Sequence, residues 1–194
     1  FSQEYINFYP WTNGGLSATD WRSDPNASQS GAKTGCIYAD ITMSLSGGAW
    51  QISNPQWAYN VGGMPTSEGF GMRVGVNWTN VNQTVTFTIT FKNGPGGTIT
   101  EYPVDFSIYD INAHVCGTAS ANRFIDNVSI VGYKSNLTTS VNPSTIVPSC
   151  PQNIVTGNSI KGSGSCGLTK TAVSFNSSNQ VARIVITYSS GLGD

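Results

Sequence analysis

The run Val85-Thr86-Phe87-Thr88-Ile89-Thr90-Phe91 constrains this chain more than any other stretch. Apolar residues and threonines alternate without a break, and every residue is β-branched or aromatic. A period of two puts Val85, Phe87, Ile89 and Phe91 on one face of a strand and the three threonines on the other. One face on a core and one in water is the pattern of an antiparallel sheet, because parallel strands are covered on both faces.

The same grammar predicts strands at residues 4–9, 36–45, 49–53, 70–78, 83–92, 104–111, 123–133, 171–175 and 180–189. Turn clusters separate them, among them Asn13-Gly14-Gly15, Ser46-Gly47-Gly48 and Asn93-Gly94-Pro95-Gly96-Gly97. Helix signals are nearly absent, since Gly, Pro or Asn interrupts every window with apolar residues at i, i+3, i+4 and i+7. The expected fold is all-β: an antiparallel two-sheet β-sandwich of jelly-roll or Ig-like type, with negligible helix. No internal repeat or linker stands out, so residues 1–194 are expected to form a single domain. The stretch 135–167, rich in Ser, Asn, Pro and Gly, is the loosest by composition.

Charged residues make up only 10% of the chain, against roughly 25% in an ordinary globular protein. Ser, Thr, Asn and Gly take their place, an exchange suited to the cell exterior. The net charge is −1 and no basic stripe exists to hold phosphates, which argues against nucleic acid as a partner. No apolar run is long enough for a bilayer, and no basic amphipathic helix could lie on one, so membrane insertion is not expected.

Cys36, Cys116, Cys150 and Cys166 lack any CxxC or His-paired spacing, and the single histidine, His114, lies near only one of them. Two disulfides in an oxidising compartment are the expectation. Cys150–Cys166 would close a local Gly- and Ser-rich loop, leaving Cys36–Cys116. The opening Phe1-Ser2-Gln3 reads as a mature chain whose secretion signal has been removed, and the ending on Gly191-Leu192-Gly193-Asp194 as part of a longer parent protein.

Function is sought where a charge breaks the strand grammar. In 104–111 the apolar face Val104, Phe106, Ile108 continues into Asp110, and in 123–133 Asp126 lies between Phe124 and Val128 on the core face. A carboxylate there must be paired, hydrogen-bonded or metal-bound, because a bare one costs several kcal/mol. One reading is a structural Ca²⁺ site built on Asp110 and Asp126, with backbone carbonyls and Asn112 or Asn127. The other gives each Asp backbone N–H donors or a partner in Arg123 or Arg73. Two acids also raise a glycoside hydrolase, although no pattern sets them in an aromatic cleft.

Trp11, Trp21, Trp50 and Trp57 fall in the first third, beside Gly, Asn and Pro. Rings so placed either cap the ends of a sandwich or offer a platform to the apolar face of a sugar or to a partner protein. Asn-x-Ser/Thr sequons begin at Asn26, Asn77, Asn82, Asn127, Asn136 and Asn176.

The succession Val104-Asp105-Phe106-Ser107-Ile108-Tyr109-Asp110-Ile111, then Arg123-Phe124-Ile125-Asp126-Asn127-Val128-Ser129-Ile130, then Ala182-Arg183-Ile184-Val185-Ile186-Thr187-Tyr188-Ser189-Ser190-Gly191 resembles modules of large secreted surface proteins of Bacteroidota. That resemblance, over roughly residues 85–190, implies an exported adhesin or matrix component. Phe124-Ile125-Asp126-Asn127-Val128 is also similar to the last-strand motif of jelly-roll carbohydrate-binding modules, which implies a structural calcium at Asp126; here some sixty residues follow the motif. The expected function is a non-enzymatic extracellular module for adhesion or surface architecture. The rivals are a carbohydrate-binding module or lectin, and a fibre subunit whose residues 1–9 add to a neighbour's sheet edge.

Overall fold

The computed structural model describes residues 28–34, 37–47, 49–50, 56–59, 71–73, 76–77, 83–94, 96–109, 111, 113–115, 123–163 and 170–191. Regular structure among them is entirely strand. In chain order the strands are β1 (Ser28–Thr34), β2 (Ile37–Ser46), β3 (Ala49–Trp50), β4 (Gln56–Tyr59), β5 (Gly71–Arg73), β6 (Val76–Asn77), β7 (Thr84–Lys92) and β8 (Val104–Tyr109). They continue with β9 (Ala113–Val115), β10 (Arg123–Tyr133), β11 (Ser140–Val141), β12 (Thr145–Pro148), β13 (Ile154–Thr156), β14 (Ser159–Lys161), β15 (Lys170–Phe175) and β16 (Arg183–Gly191).

Two antiparallel sheets form a sandwich. The larger runs β1-β2-β7-β16-β10-β14-β13, with β9 and β11 also paired to β10, and the smaller runs β12-β15-β8. β3–β6 and β4–β5 form separate two-stranded ladders. After β7 the chain changes sheet repeatedly: β8 belongs to the small sheet, β9 to β11 to the large, β12 to the small, β13 and β14 to the large, β15 to the small and β16 to the large.

Alternation decides what lies between the sheets. Across β2, β7 and β16 the register aligns Ile41, Ile89 and Ile184, then Met43, Phe87 and Ile186, then Leu45, Val85 and Tyr188. These rungs, with Val128 and Ile130 of β10 and Ile160 of β14, meet Val173 and Phe175 of β15 and Phe106 and Ile108 of β8 in one core. Burying each such side chain contributes about 1.5–3 kcal/mol relative to leaving it exposed. The threonine face of β7 is less open than its pattern predicts. Thr86 and Thr88 are half-buried, and Thr90 is buried, because Arg183 crosses from β16 and donates Nε–H to Thr90 Oγ1 at 3.0 Å. Beyond Thr90 on the same face, Lys92 pairs with Asp40 of β2.

Gly132 sets how closely the sheets approach. It follows Ile130 on the inner face of β10 and is itself buried. A Cβ at this position would lie 2.7 Å from Phe175 Cε1 and would also strike Val181. Both of those side chains have no exposed surface, so neither can swing away.

One end of the sandwich is held by a polar clasp. Glu101, in the crossover from β7 to β8, accepts from Ser135 N at 2.9 Å, Ser135 Oγ at 3.0 Å and Lys134 Nζ at 3.1 Å. Lys134 Nζ also donates to Gln180 O at 2.7 Å, which brings in the segment leading to β16.

The stretch that is loosest by composition is paired. Residues 135–167 supply β11 to β14, and β13 and β14 form a hairpin whose turn, Gly157-Asn158, has Gly157 at φ +60. A left-handed first turn residue suits the twist of a two-residue hairpin, and only Gly adopts it without strain. β1, with the sequence Ser-Gln-Ser-Gly-Ala-Lys-Thr, carries no strand signature either; pairing with β2 organises it. The strand expected at 4–9 lies outside the described residues.

Gly132→Ala should lower the unfolding free energy by about 1–3 kcal/mol, the usual cost of forcing a methyl group into a filled core. A thermal or urea melt against the parent chain measures it; an unchanged midpoint would mean that the sheets can separate freely.

Glu101 has its carboxyl held below the usual carboxylate range, chiefly by the Ser135 backbone N–H and then by Lys134. A group whose folded pKa is depressed stabilises above its unfolded pKa, near 4.5, and that contribution is lost as pH falls through the folded value. Glu101→Gln should therefore lose stability at pH 6 to 7 and converge with the parent chain in the acid limb. Parallel curves at all pH values would rule out this origin.

Candidate functional site: a hydroxyl-lined groove on the large sheet

β10 carries two different surfaces, because alternate residues face opposite ways. Its inner face holds the expected irregularity. Asp126 is 3% exposed, in line with Val128 and Ile130, as its place in the alternation predicts. The Tyr188 hydroxyl donates to Asp126 Oδ1. The donor is not among the partners expected from sequence, which were backbone N–H groups, Arg73 or Arg123. Tyr188 lies on β16, sixty-two residues away, and reaches Asp126 only because the β10–β16 register sets Tyr188 opposite Val128 and Ser190 opposite Asp126. The Asp126 carbonyl accepts from Gly162 N at 2.8 Å, extending the β10–β14 ladder.

A second buried polar residue, Asn153, ties three segments together and has no sequence signal. It is 8% exposed. Its Nδ2 donates to Ile111 O at 2.8 Å, its Oδ1 accepts from Ser163 N at 3.4 Å, and its own N–H donates to Cys150 O at 3.1 Å. Cys150 is fully buried and disulfide-bonded, its partner lying outside the described residues.

Of the calcium ligands expected from sequence, Asp110 and Asn112 lie outside the described residues, as do Trp11, Trp21, Cys36, Cys116 and Cys166. Trp50 is placed in β3 opposite Val76, Trp57 in β4 and His114 in β9 opposite Phe124; their side chains are outside the description. Among the described residues no group of three or more His, Cys, Asp or Glu side chains gathers at one point.

The outer face of β10 lines a depression of about 250 Å³. Two rows of side chains cross it. Ser189, Asn127, Lys161 and Ile154 are register partners on β16, β10, β14 and β13, and Thr187, Ser129, Ser159 and Thr156 form the second row. Neighbours within a row stand about 4.8 Å apart, and the rows about 6.8 Å apart. Five hydroxyls and one amide thus face a shallow bay whose rim carries Lys161 and Ile154, the latter 53% exposed. The second row continues across the sheet, Thr187 Oγ1 lying 3.5 Å from Thr86 Oγ1. Each hydroxyl can both donate and accept, and the Asn127 amide offers its oxygen and one N–H, its Nδ2 already donating to Ile125 O at 3.3 Å. The array suits a ligand rich in hydroxyl groups. Asn127, Ser129, Thr187 and Ser189 were assignable to a solvent face from alternation; the wall from β13 and β14 was not.

Comparison with protein families, with curated proteins and with solved structures finds none that matches this chain. Among the described residues no helix is long and apolar enough to cross a membrane.

Tyr188→Phe should destabilise the chain by about 1–3 kcal/mol, the cost of leaving a buried carboxylate short of a donor. Repeating the melt with chelator and with added calcium tests the metal reading, because an ion that binds only the folded state raises its stability by mass action. A melting temperature indifferent to both reagents would leave Asp126 to its hydrogen bonds.

Proposed function

We propose that this chain is a non-enzymatic extracellular adhesion module that attaches to glycans through the groove on the outer face of β16, β10, β14 and β13. The observation that carries this reading is the pair of register-aligned rows, which place hydroxyl and amide groups side by side on a paired sheet. A sheet holds such groups at fixed spacing, so little ordering is left to be lost when a ligand binds. The low charge and the resemblance to secreted surface modules support an extracellular setting. The resemblance to carbohydrate-binding modules supports a sugar as the ligand.

A glycan array probed with the parent chain should show saturable binding. The double variant Ser129→Ala, Thr187→Val removes two groove hydroxyls at nearly constant shape. At about 0.5–1.5 kcal/mol per hydrogen bond, it should weaken that binding roughly tenfold with the fold retained. Trp57→Ala is the counter-test. If it abolishes binding and the groove variant does not, the tryptophan platform holds the ligand instead.

A further inference from the structure

We infer that the groove selects an anionic sugar unit, one carrying a carboxylate or a sulfate ester, through Lys161. The inference rests on the glycan reading and deepens it.

Among the described residues lining the groove Lys161 is the one that is charged, and it is exposed. It takes part in neither of the ion pairs Lys92–Asp40 and Lys134–Glu101. Its cross-strand neighbours are Asn127 on one side and Ile154 on the other, and its neighbour in the second row is Ser159. Among the described residues no carboxylate lines the groove: Asp126, although adjacent in sequence to Asn127, is buried on the opposite face of β10. Among the described residues, then, no carboxylate of the groove competes with an incoming anion for that ammonium. Salt screens an exposed charge within about 10 Å, so its field is local to the groove.

The neighbours narrow the class of ligand. A bare inorganic anion would use Lys161 and a hydroxyl but leave Ile154 in water. A sugar ring presents C–H groups on one face and hydroxyls at its edge, so it can cover Ile154 and the alkyl stem of Lys161 while its hydroxyls meet Ser159, Ser129 and Thr187. The depression of about 250 Å³ falls just below the size range of pockets for drug-sized ligands and suits a single ring of a chain that runs on across the sheet. A lysine serves carboxylate and sulfate alike, being a compact point charge rather than a planar fork. The two sources are separated by experiment.

The test is titration of the full chain by isotope-edited NMR and calorimetry with three probes: oligogalacturonate, a carrageenan oligosaccharide, which carries sulfate esters and no carboxylate, and a neutral galactan oligosaccharide of equal length. The parent chain should bind at least one acidic probe about fivefold or more tighter than the neutral one, with shifts in β10, β14 and β16 and weakening at higher salt. Which acidic probe wins identifies carboxylate or sulfate. Lys161→Gln should bring the acidic and neutral affinities to within about twofold of each other, whatever it does to the neutral affinity itself, and Lys161→Arg should retain the preference; the exposed position makes both variants compatible with folding. Equal binding of acidic and neutral probes in the parent chain overturns the role of Lys161 and leaves the glycan reading standing. A preference that survives Lys161→Gln does the same. Absence of binding by all three probes overturns the selection of an anionic sugar, and the glycan array then decides the glycan reading separately.

Discussion

The sandwich depends on the contact of Phe175 with the bare backbone of Gly132. Among the described residues the small sheet has three strands and the large one nine, so the small sheet is held by few side chains. Phe175 is among the largest of these, fully buried, and it lies where the large sheet has no Cβ. A ring seated on a glycine brings the backbones closer than two side chains would allow and leaves little void. β10, which contributes that glycine, also pairs with β16, β14, β9 and β11. The strand that sets the distance between the sheets is therefore the one that organises the larger of them.

That double duty explains why polar groups are tolerated inside. Asp126 and Asn153 are each buried at a junction, and each is hydrogen-bonded to a segment distant in sequence: Asp126 to Tyr188, Asn153 to Ile111 and Ser163. A buried carboxylate or amide left without partners costs more than its bonds contribute when made. Such groups accordingly penalise other registers. If β16 slipped by one residue against β10, Tyr188 would turn to the opposite face and Asp126 would lose the hydrogen bond from its hydroxyl.

The outer face answers a different need. It must stay soluble with few charges, and it does so with hydroxyls aligned by the ladder. Where the sheet ends, β13 offers an edge of three β-branched residues, Ile154, Val155 and Thr156, without a charge or a proline. Other edges carry the usual guards: β1 a register irregularity, β12 the residue Pro148, β8 the exposed Asp105. β13 is protected mainly by being short. Its exposed Ile154 doubles as the rim of the groove.

The alternation in 83–92, 104–111, 123–133 and 180–189 determined the class of fold, since a period of two with one apolar face can be satisfied only by a half-buried antiparallel sheet. The inward placement of Asp126, and the outward placement of Asn127, Ser129, Thr187 and Ser189, followed from the same parity. β1 and β11 to β14 were not legible, because their residues have weak strand propensity or are too few to show a period; pairing with β2, β10 and β15 organises them. The partners of Asp126 and Asn153 and the four-strand width of the groove were likewise decided by tertiary structure. Each depends on which strands lie side by side and in what register, a long-range choice that parity within one strand does not encode.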